Sequence, residues 1–183
     1  MTLSKIMDTT EGIHKPLGKY IFNNVQFSKH DPVVEILRQA NYNVFNHPTD
    51  ESGVLITFPV KWDDVPFHKV DGKEVNLDSA IDQLEKYKLI QTSWTQQNTS
   101  VTISYEPHEV DDIVDWLLAN WSCYVGVSFI YRADPTKTAK DLGYLYLPQE
   151  VVDEQTYNKY VQQLLPVSVD ALAGFEEIKG DIS

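Results

Sequence analysis

The feature that most constrains the fold is a strand, helix and strand that follow one another in the second half of the chain. Thr99 to Tyr105 and Tyr124 to Arg132 are rich in β-branched and aromatic residues, as strands are. Between them, Val110 to Trp121 has the apolar spacing of an amphipathic helix. A connection of this length is typical of a right-handed crossover, so the sequence predicts two parallel strands with a helix packed on them.

Periodicity and end signals in the rest of the chain predict further elements and the α/β class. Asp31 followed by Pro32 marks a helix start, because Asp caps a first turn in which proline is tolerated. Asp71-Gly72 is a turn signal. The other predicted elements are strands at Lys19 to Phe27 and Gly53 to Val60, a loop or small hairpin at Val65 to Asn76, and helices at Leu77 to Gln96 and Asp153 to Leu165.

These elements suggest three regions along the chain. Residues 1–19 show no sustained hydrophobic periodicity of a helix or a strand, so we expect an extended arm. Residues 20–165 hold the predicted strands and helices, and residues 166–183 predict a mobile tail because they are thinly apolar.

Charge and composition exclude several functions. The net charge of -12 and the pI near 4.7 argue against nucleic-acid binding, which needs clustered Lys and Arg. No apolar run approaches the length of a membrane span and the first residues lack a signal-peptide core, so we expect a cytoplasmic protein. A single cysteine, Cys123, forms neither an internal disulfide nor a dithiol redox motif.

Side chains that often carry chemistry have simpler interpretations here. The five histidines are not at metal-ligand spacing, so we expect them at the surface. Cys123 has no local His partner, so we expect a core or boundary residue. We expect the four tryptophans to pack in the core. Glu109, Asp111 and Asp112 fall in a predicted first helical turn, where the helix dipole favours acidic groups; Asp115 extends a solvated face.

One group of hydroxyls near the amino terminus suggests a ligand. Thr2, Ser4, Thr9 and Thr10 lie within ten residues, and hydroxyls beside backbone amides suit a phosphate group. A disordered polar terminus explains the same composition, so the residues alone leave both interpretations open.

Three long stretches, residues 2–33, 91–109 and 121–150, together resemble the class II ribonucleotide reductases. The similarity is greatest to the adenosylcobalamin-dependent ribonucleoside-triphosphate reductases of cyanobacteria and their phages, and it extends from Thr2 to about Val167. The resemblance implies the last part of a ten-stranded α/β barrel and a carboxy-terminal elaboration. On this basis Thr99 to Tyr105 and Tyr124 to Arg132 are late strands beside the barrel.

The resemblance also implies site residues. A Pro-Ser-Gly-Thr loop at a helix start binds the substrate phosphates in this family, and Met1 stands where its glycine would be. Thr2 matches the threonine and Ser4 follows in the hydroxyl-bearing turn, so both are predicted phosphate ligands. Three later positions, Gly12, Ile13 and Pro16, match the exit from that helix.

The family's chemistry implies partners for this chain. In this family, adenosylcobalamin generates a thiyl radical on a cysteine, and this radical starts the reaction of the ribonucleotide. A cysteine pair supplies the electrons for the reduction, and an external thiol is the final reductant. Those residues would lie upstream of Met1, Cys123 matches none of them, and the usual cysteine-pair tail is missing from the end, GFEEIKGDIS. We therefore expect a split reductase that needs a larger amino-terminal chain and is inactive alone. The alternative is a non-catalytic α/β binding or regulatory module derived from the same fold.

Overall fold

A computed structural model describes residues 9–167 and shows a mixture of helices and strands, as the sequence predicted. The strands are β1 Tyr20–Ser28, β2 Val44–Asn46, β3 Gly53–Lys61, β4 His68–Val70, β5 Lys73–Val75, β6 Thr102–Tyr105, β7 Ser128–Tyr131 and β8 Gln149–Val151. The helices are α1 Pro32–Gln39, α2 Ala80–Ser93, α3 Val110–Ala119 and α4 Glu154–Gln163, with a short 3₁₀ helix at Pro107–Glu109.

The largest sheet is antiparallel and has the order β2-β3-β1-β8. The predicted strands β1 and β3 form its centre and pair along their whole lengths, from Tyr20 opposite Lys61 to Ser28 opposite Gly53. The sequence analysis missed β2 and β8, which are only three residues long and sit at the edges. The predicted ten-stranded barrel stays a prediction.

Side-chain caps fix where three helices begin. Asp31 accepts a hydrogen bond from the Val33 amide, which confirms the predicted start of α1. The predicted helix Leu77 to Gln96 is shorter at its start, because Ser79 and Asp82 form a reciprocal capping box ahead of Ala80. Asp153 caps α4.

The strand, helix and strand unit is confirmed. β6 and β7 pair in parallel with Thr102 opposite Ser128 and Tyr105 opposite Tyr131, and α3 lies between them in the chain. Both strands are shorter than predicted. The predicted hairpin is also present, since β4 and β5 pair across a turn in which Asp71 and Gly72 have φ values of 49° and 78°.

The chain forms two compact units, each with its own core. The described parts of the first unit are residues 9–17, 65–68 and 76–134, and those of the second are 18–64, 69–75 and 135–167. The first core contains Ala80, Leu84, Tyr87, Val101, Ile103, Ile113 and Trp116. The second contains Val34, Leu37, Val54 and Ile56.

Two further findings concern glycine packing and membranes. A side chain at Gly18 would come within 2.5 Å of Val151 and 2.6 Å of the Glu74 carbonyl oxygen, so this backbone approach requires glycine. Among residues 9–167, no helix is long and apolar enough to cross a membrane.

Candidate functional site

The predicted phosphate ligands Thr2 and Ser4 lie outside the described residues. The described chain begins just after them, with the other two hydroxyl-bearing residues of that segment. The Thr10 hydroxyl donates to the Gly12 carbonyl oxygen at 3.0 Å, and Gly12 has a positive φ of 60°. The structure therefore describes the exit from the predicted site and how it is held.

His14 joins this exit to β6. Its Nδ1 lies 2.7 Å from the Glu11 carbonyl oxygen, and its Nε2 accepts a hydrogen bond from the Thr102 amide at 3.0 Å. An amide nitrogen only donates and a carbonyl oxygen only accepts, so these partners assign a neutral ring with the hydrogen on Nδ1. His14 thus has a defined structural role, which the sequence analysis did not predict.

Lys15 is held by a second set of contacts. Its ammonium group lies 2.6 Å from an Asp78 carboxylate oxygen and 5.5 Å from the centre of the Phe67 ring. Asn76 donates from its backbone to the Leu17 carbonyl oxygen at 2.8 Å and from its side chain to the Lys15 carbonyl oxygen at 3.3 Å. Lys15 is therefore already paired, and residues 14–17 are fixed to the first unit.

A buried carboxylate caps the start of α2. Glu109 is only 7% exposed; one of its oxygens accepts from the Ala80 amide at 2.7 Å, and the other accepts from the Glu106 amide at 2.8 Å. The prediction that Glu109 lies in the first turn of the helix is wrong, because α3 begins at Val110. Asp111 and Asp112 do lie in that first turn, and both are exposed. The difference arises because Glu109 ends the 3₁₀ helix and faces the unsatisfied amides of another helix.

Arg132 neutralises this carboxylate. Its guanidinium donates to the Asp78 and Ser104 carbonyl oxygens at 2.7 and 2.9 Å, and it lies 3.5 Å from Glu109 and 3.9 Å from Glu106. Because two carboxylates and two carbonyl oxygens already surround the guanidinium, it is not available to bind a phosphate group. The cluster links the ends of α2, β6 and β7, and sequence reasoning missed it because its members are distant along the chain.

The other residues considered from sequence divide into confirmed and wrong predictions. Cys123 is a half-buried free thiol, as expected for a boundary residue. Trp116 packs in the core, but Trp94 and Trp121 are 86% and 74% exposed, so core packing is wrong for these two. His47 is half-buried and lies 3.2 Å from the Tyr146 hydroxyl, which makes it a second histidine with a specific contact.

The described residues contain no candidate metal-ion cluster. Within residues 9–167, no three His, Cys, Asp or Glu side chains converge on one point, and every buried polar side-chain atom has a hydrogen-bond partner.

Comparison with solved structures assigns the fold. No protein-family model matches the chain. The crystal structure of a B12-dependent, class II ribonucleotide reductase superposes with a TM-score of 0.76 at 21% identity, covering 99% of this chain and 24% of that one. The fold is that of part of a class II ribonucleotide reductase.

Curated relatives are adenosylcobalamin-dependent ribonucleoside-triphosphate reductases. The Levilactobacillus brevis protein is 25% identical over 183 residues, which is 98% of this chain and 22% of that protein. A probable reductase of this kind from Dictyostelium discoideum is 25% identical over 93% of this chain and 21% of its own length, and the Lactobacillus leichmannii enzyme is 26% identical over 89% and 21%. The chain thus spans about a fifth of the length of these relatives. They confirm the predicted resemblance, while the similarity to cyanobacterial and phage enzymes stays a prediction.

Proposed function

We propose that this chain is the carboxy-terminal part of an adenosylcobalamin-dependent ribonucleotide reductase, of the type found in cyanobacteria and their phages. In the assembled cytoplasmic enzyme it completes the ten-stranded barrel and contributes Thr2 and Ser4 to the substrate phosphate site. The observation that carries the proposal is the fold match over 99% of the chain. Relatives that are reductases of this kind, similar over 89 to 98% of the chain, support it.

The cysteine content supports placing the redox chemistry outside these 183 residues. Reduction of a ribonucleotide by a cysteine pair needs two thiols that can form a disulfide, and this sequence has one cysteine. Cys123 is half-buried beside the end of α3, where its amide donates to the Asn120 carbonyl oxygen at 2.8 Å. The radical cysteine and the reducing pair therefore belong to a larger amino-terminal chain in this proposal, with an external thiol as the final reductant.

Adenosylcobalamin is the cofactor of the assembled enzyme in this proposal, and it supplies the radical when it is bound. Residues 9–167 contain no cluster of metal-ligating side chains. The described residues hold the exit of the phosphate segment against β6 through His14, and beside the start of α2 through the pairing of Lys15 with Asp78.

Reconstitution tests the proposal. The purified chain and the upstream reductase polypeptide encoded in the same genome are assayed separately and mixed, with adenosylcobalamin, a dithiol and either ribonucleoside diphosphates or triphosphates. We expect deoxyribonucleotide formation only in the mixture. A mixture that binds but stays inactive would support the alternative, a non-catalytic binding or regulatory module, and would contradict the proposed role.

Phosphate-site variants sharpen the same test. Loss of one hydrogen bond to a charged group costs about 1.5 to 3 kcal/mol, so Thr2→Val and Ser4→Ala should each lower kcat/KM of the mixture by about tenfold to a hundredfold. Ser100→Ala removes an exposed hydroxyl elsewhere in the chain and serves as the control. Unchanged kinetics in Thr2→Val and Ser4→Ala would remove these residues from the phosphate site.

A further inference from the structure

The turn that follows the predicted phosphate segment is folded by local contacts. The His14 amide and the His14 Nδ1 both lie against the Glu11 carbonyl oxygen, at 3.2 and 2.7 Å. The Thr10 hydroxyl donates to the Gly12 carbonyl oxygen, and Gly12 has a positive φ that residues with side chains rarely adopt. Ile13 packs against the first core. The direction in which the chain runs back toward the amino terminus is therefore set within this turn.

His14 attaches the turn to a rigid part of the first unit. Its Nε2 accepts a hydrogen bond from the amide of Thr102, the first residue of β6, at 3.0 Å. Thr102 lies between Val101 and Ile103, whose side chains are buried in the first core. A packed core has low compressibility, so an amide held between two buried side chains keeps its position. The ring of His14 therefore fixes where the turn lies as well as how it is folded.

The two ring nitrogens of His14 make separate contacts. Nδ1 carries the hydrogen and bonds within the turn, whereas Nε2 carries none and accepts the β6 amide. Lys15 pairs with Asp78 at 2.6 Å and holds the chain after the turn. The bond at Nε2 holds the turn itself, on the side of the chain that leads to Thr2 and Ser4. Because each nitrogen has its own partner, the two contacts can be removed one at a time.

We infer that His14 is a positioning residue for the substrate phosphate group, and that it acts through the hydrogen bond between its Nε2 and the Thr102 amide. The inference rests on the proposed function, since Thr2 and Ser4 are the ligands whose placement it sets. Ligands of this kind must be held within about 0.5 Å of their productive geometry by supporting contacts. In this role His14 does not touch the substrate, and its loss weakens substrate binding.

Two substitutions separate the ring nitrogens. His14→Gln places a carbonyl oxygen near the position of Nε2, so it can accept the Thr102 amide, whereas His14→Asn keeps a donor near the position of Nδ1 and reaches no farther. Each is assayed in the mixture with the upstream polypeptide, using the ribonucleotide that the wild-type mixture reduces. His30→Asn changes an exposed histidine in the second unit and serves as the control.

The expected result is a change in KM and not in kcat. A phosphate group is bound in the ground state and the transition state alike, so His14→Asn should raise KM by about fivefold, with kcat within about twofold of the wild type. His14→Gln should keep a KM close to that of the wild type, as should His30→Asn. An unchanged KM in His14→Asn overturns the inference and leaves the proposed function intact.

A contact that only stabilises the fold gives a different pattern. Loss of stability lowers the folded fraction and therefore the apparent kcat, while the KM of the folded enzyme stays the same. Urea denaturation measures the stability of each variant directly. A lower kcat at unchanged KM, together with a lower stability, would make His14 a structural residue and overturn the inference.

Hydrogen exchange tests the contact itself without any activity. In the free chain, the Thr102 amide should exchange slowly in the wild type and in His14→Gln, and faster by about tenfold or more in His14→Asn. Equal protection in all three would show that His14 does not hold this amide, which overturns the inference alone. If the wild-type mixture forms no deoxyribonucleotide, there is no reductase substrate to position, and the proposed function and the inference fail together.

Discussion

The Glu109 carboxylate contacts three parts of the first unit. It accepts the Ala80 amide at the start of α2, accepts the Glu106 amide, and faces the Arg132 guanidinium at the end of β7. Both charged side chains are nearly buried, with 9% of the glutamate and 11% of the arginine side chain exposed. A buried pair of this kind is costly to break, because the remaining partner stays buried without compensation.

Removal of this carboxylate should therefore destabilise the protein far more than removal of an exposed one. We expect Glu109→Ala to lower the free energy of unfolding by about 3 kcal/mol, measured by urea denaturation. Asp111→Ala removes the same charge from an exposed position two residues later and should change it by about 0.5 kcal/mol or less. Similar losses for the two variants would show that the Glu109 cluster contributes little.

At the scale of helices and strands, local sequence signals predicted which longer elements exist better than they predicted where those elements begin and end. Asp31-Pro32 placed the start of α1 correctly, and Asp71-Gly72 placed the hairpin turn, because each signal acts through its own backbone. The sequence analysis missed β2 and β8 because three residues carry no measurable period, and β8 also pairs with a strand that is distant in sequence. The Glu109 cluster was missed for the second reason.

The cap of α4 carries a pH-dependent prediction. Hydrogen bonds from the Thr156 amide and hydroxyl, at 2.8 and 2.7 Å, hold the pKa of Asp153 below its usual range. A carboxyl whose pKa is lower in the folded state stabilises the fold above its unfolded pKa of about 3.9, and this contribution is lost as the pH falls through the folded value.

We therefore expect Asp153→Ala to cost about 1 kcal/mol in urea unfolding at pH 7 and less at pH 3. Asp153→Asn retains a capping oxygen without a titrating group, so its advantage over Asp153→Ala should not change between these pH values. An equal cost of Asp153→Ala at both pH values would show that charge adds nothing to this cap.

At the scale of the whole molecule, the sequence predicted the relationship better than the site. Similarity to the reductases is spread over most of the chain, so it survives at about 25% identity and is visible without any single motif. The two phosphate residues, Thr2 and Ser4, depend on a few positions outside the described residues. What the structure adds is the way His14 and Lys15 anchor the exit from that segment, which no local pattern reveals.

The net charge of the chain and its exposed apolar surface have opposite effects on self-association. The chain carries a formal charge of -12 at pH 7, which keeps copies apart, and the charge vanishes near the pI of 4.7. Val110, Val114 and Leu118 follow one another at four-residue spacing along α3 and are 43%, 47% and 67% exposed. An apolar stripe of this kind favours association once repulsion is lost.

Light scattering of the isolated chain should therefore rise to a maximum near pH 4.7 and be low at pH 7. Leu118→Glu interrupts the stripe and should lower that maximum more than Asn158→Glu, which adds the same charge at an exposed position on α4. Because both variants change the net charge equally, the difference between them isolates the apolar contribution of α3. Equal scattering by the two variants would mean that charge alone governs association and that the α3 stripe has no part in it.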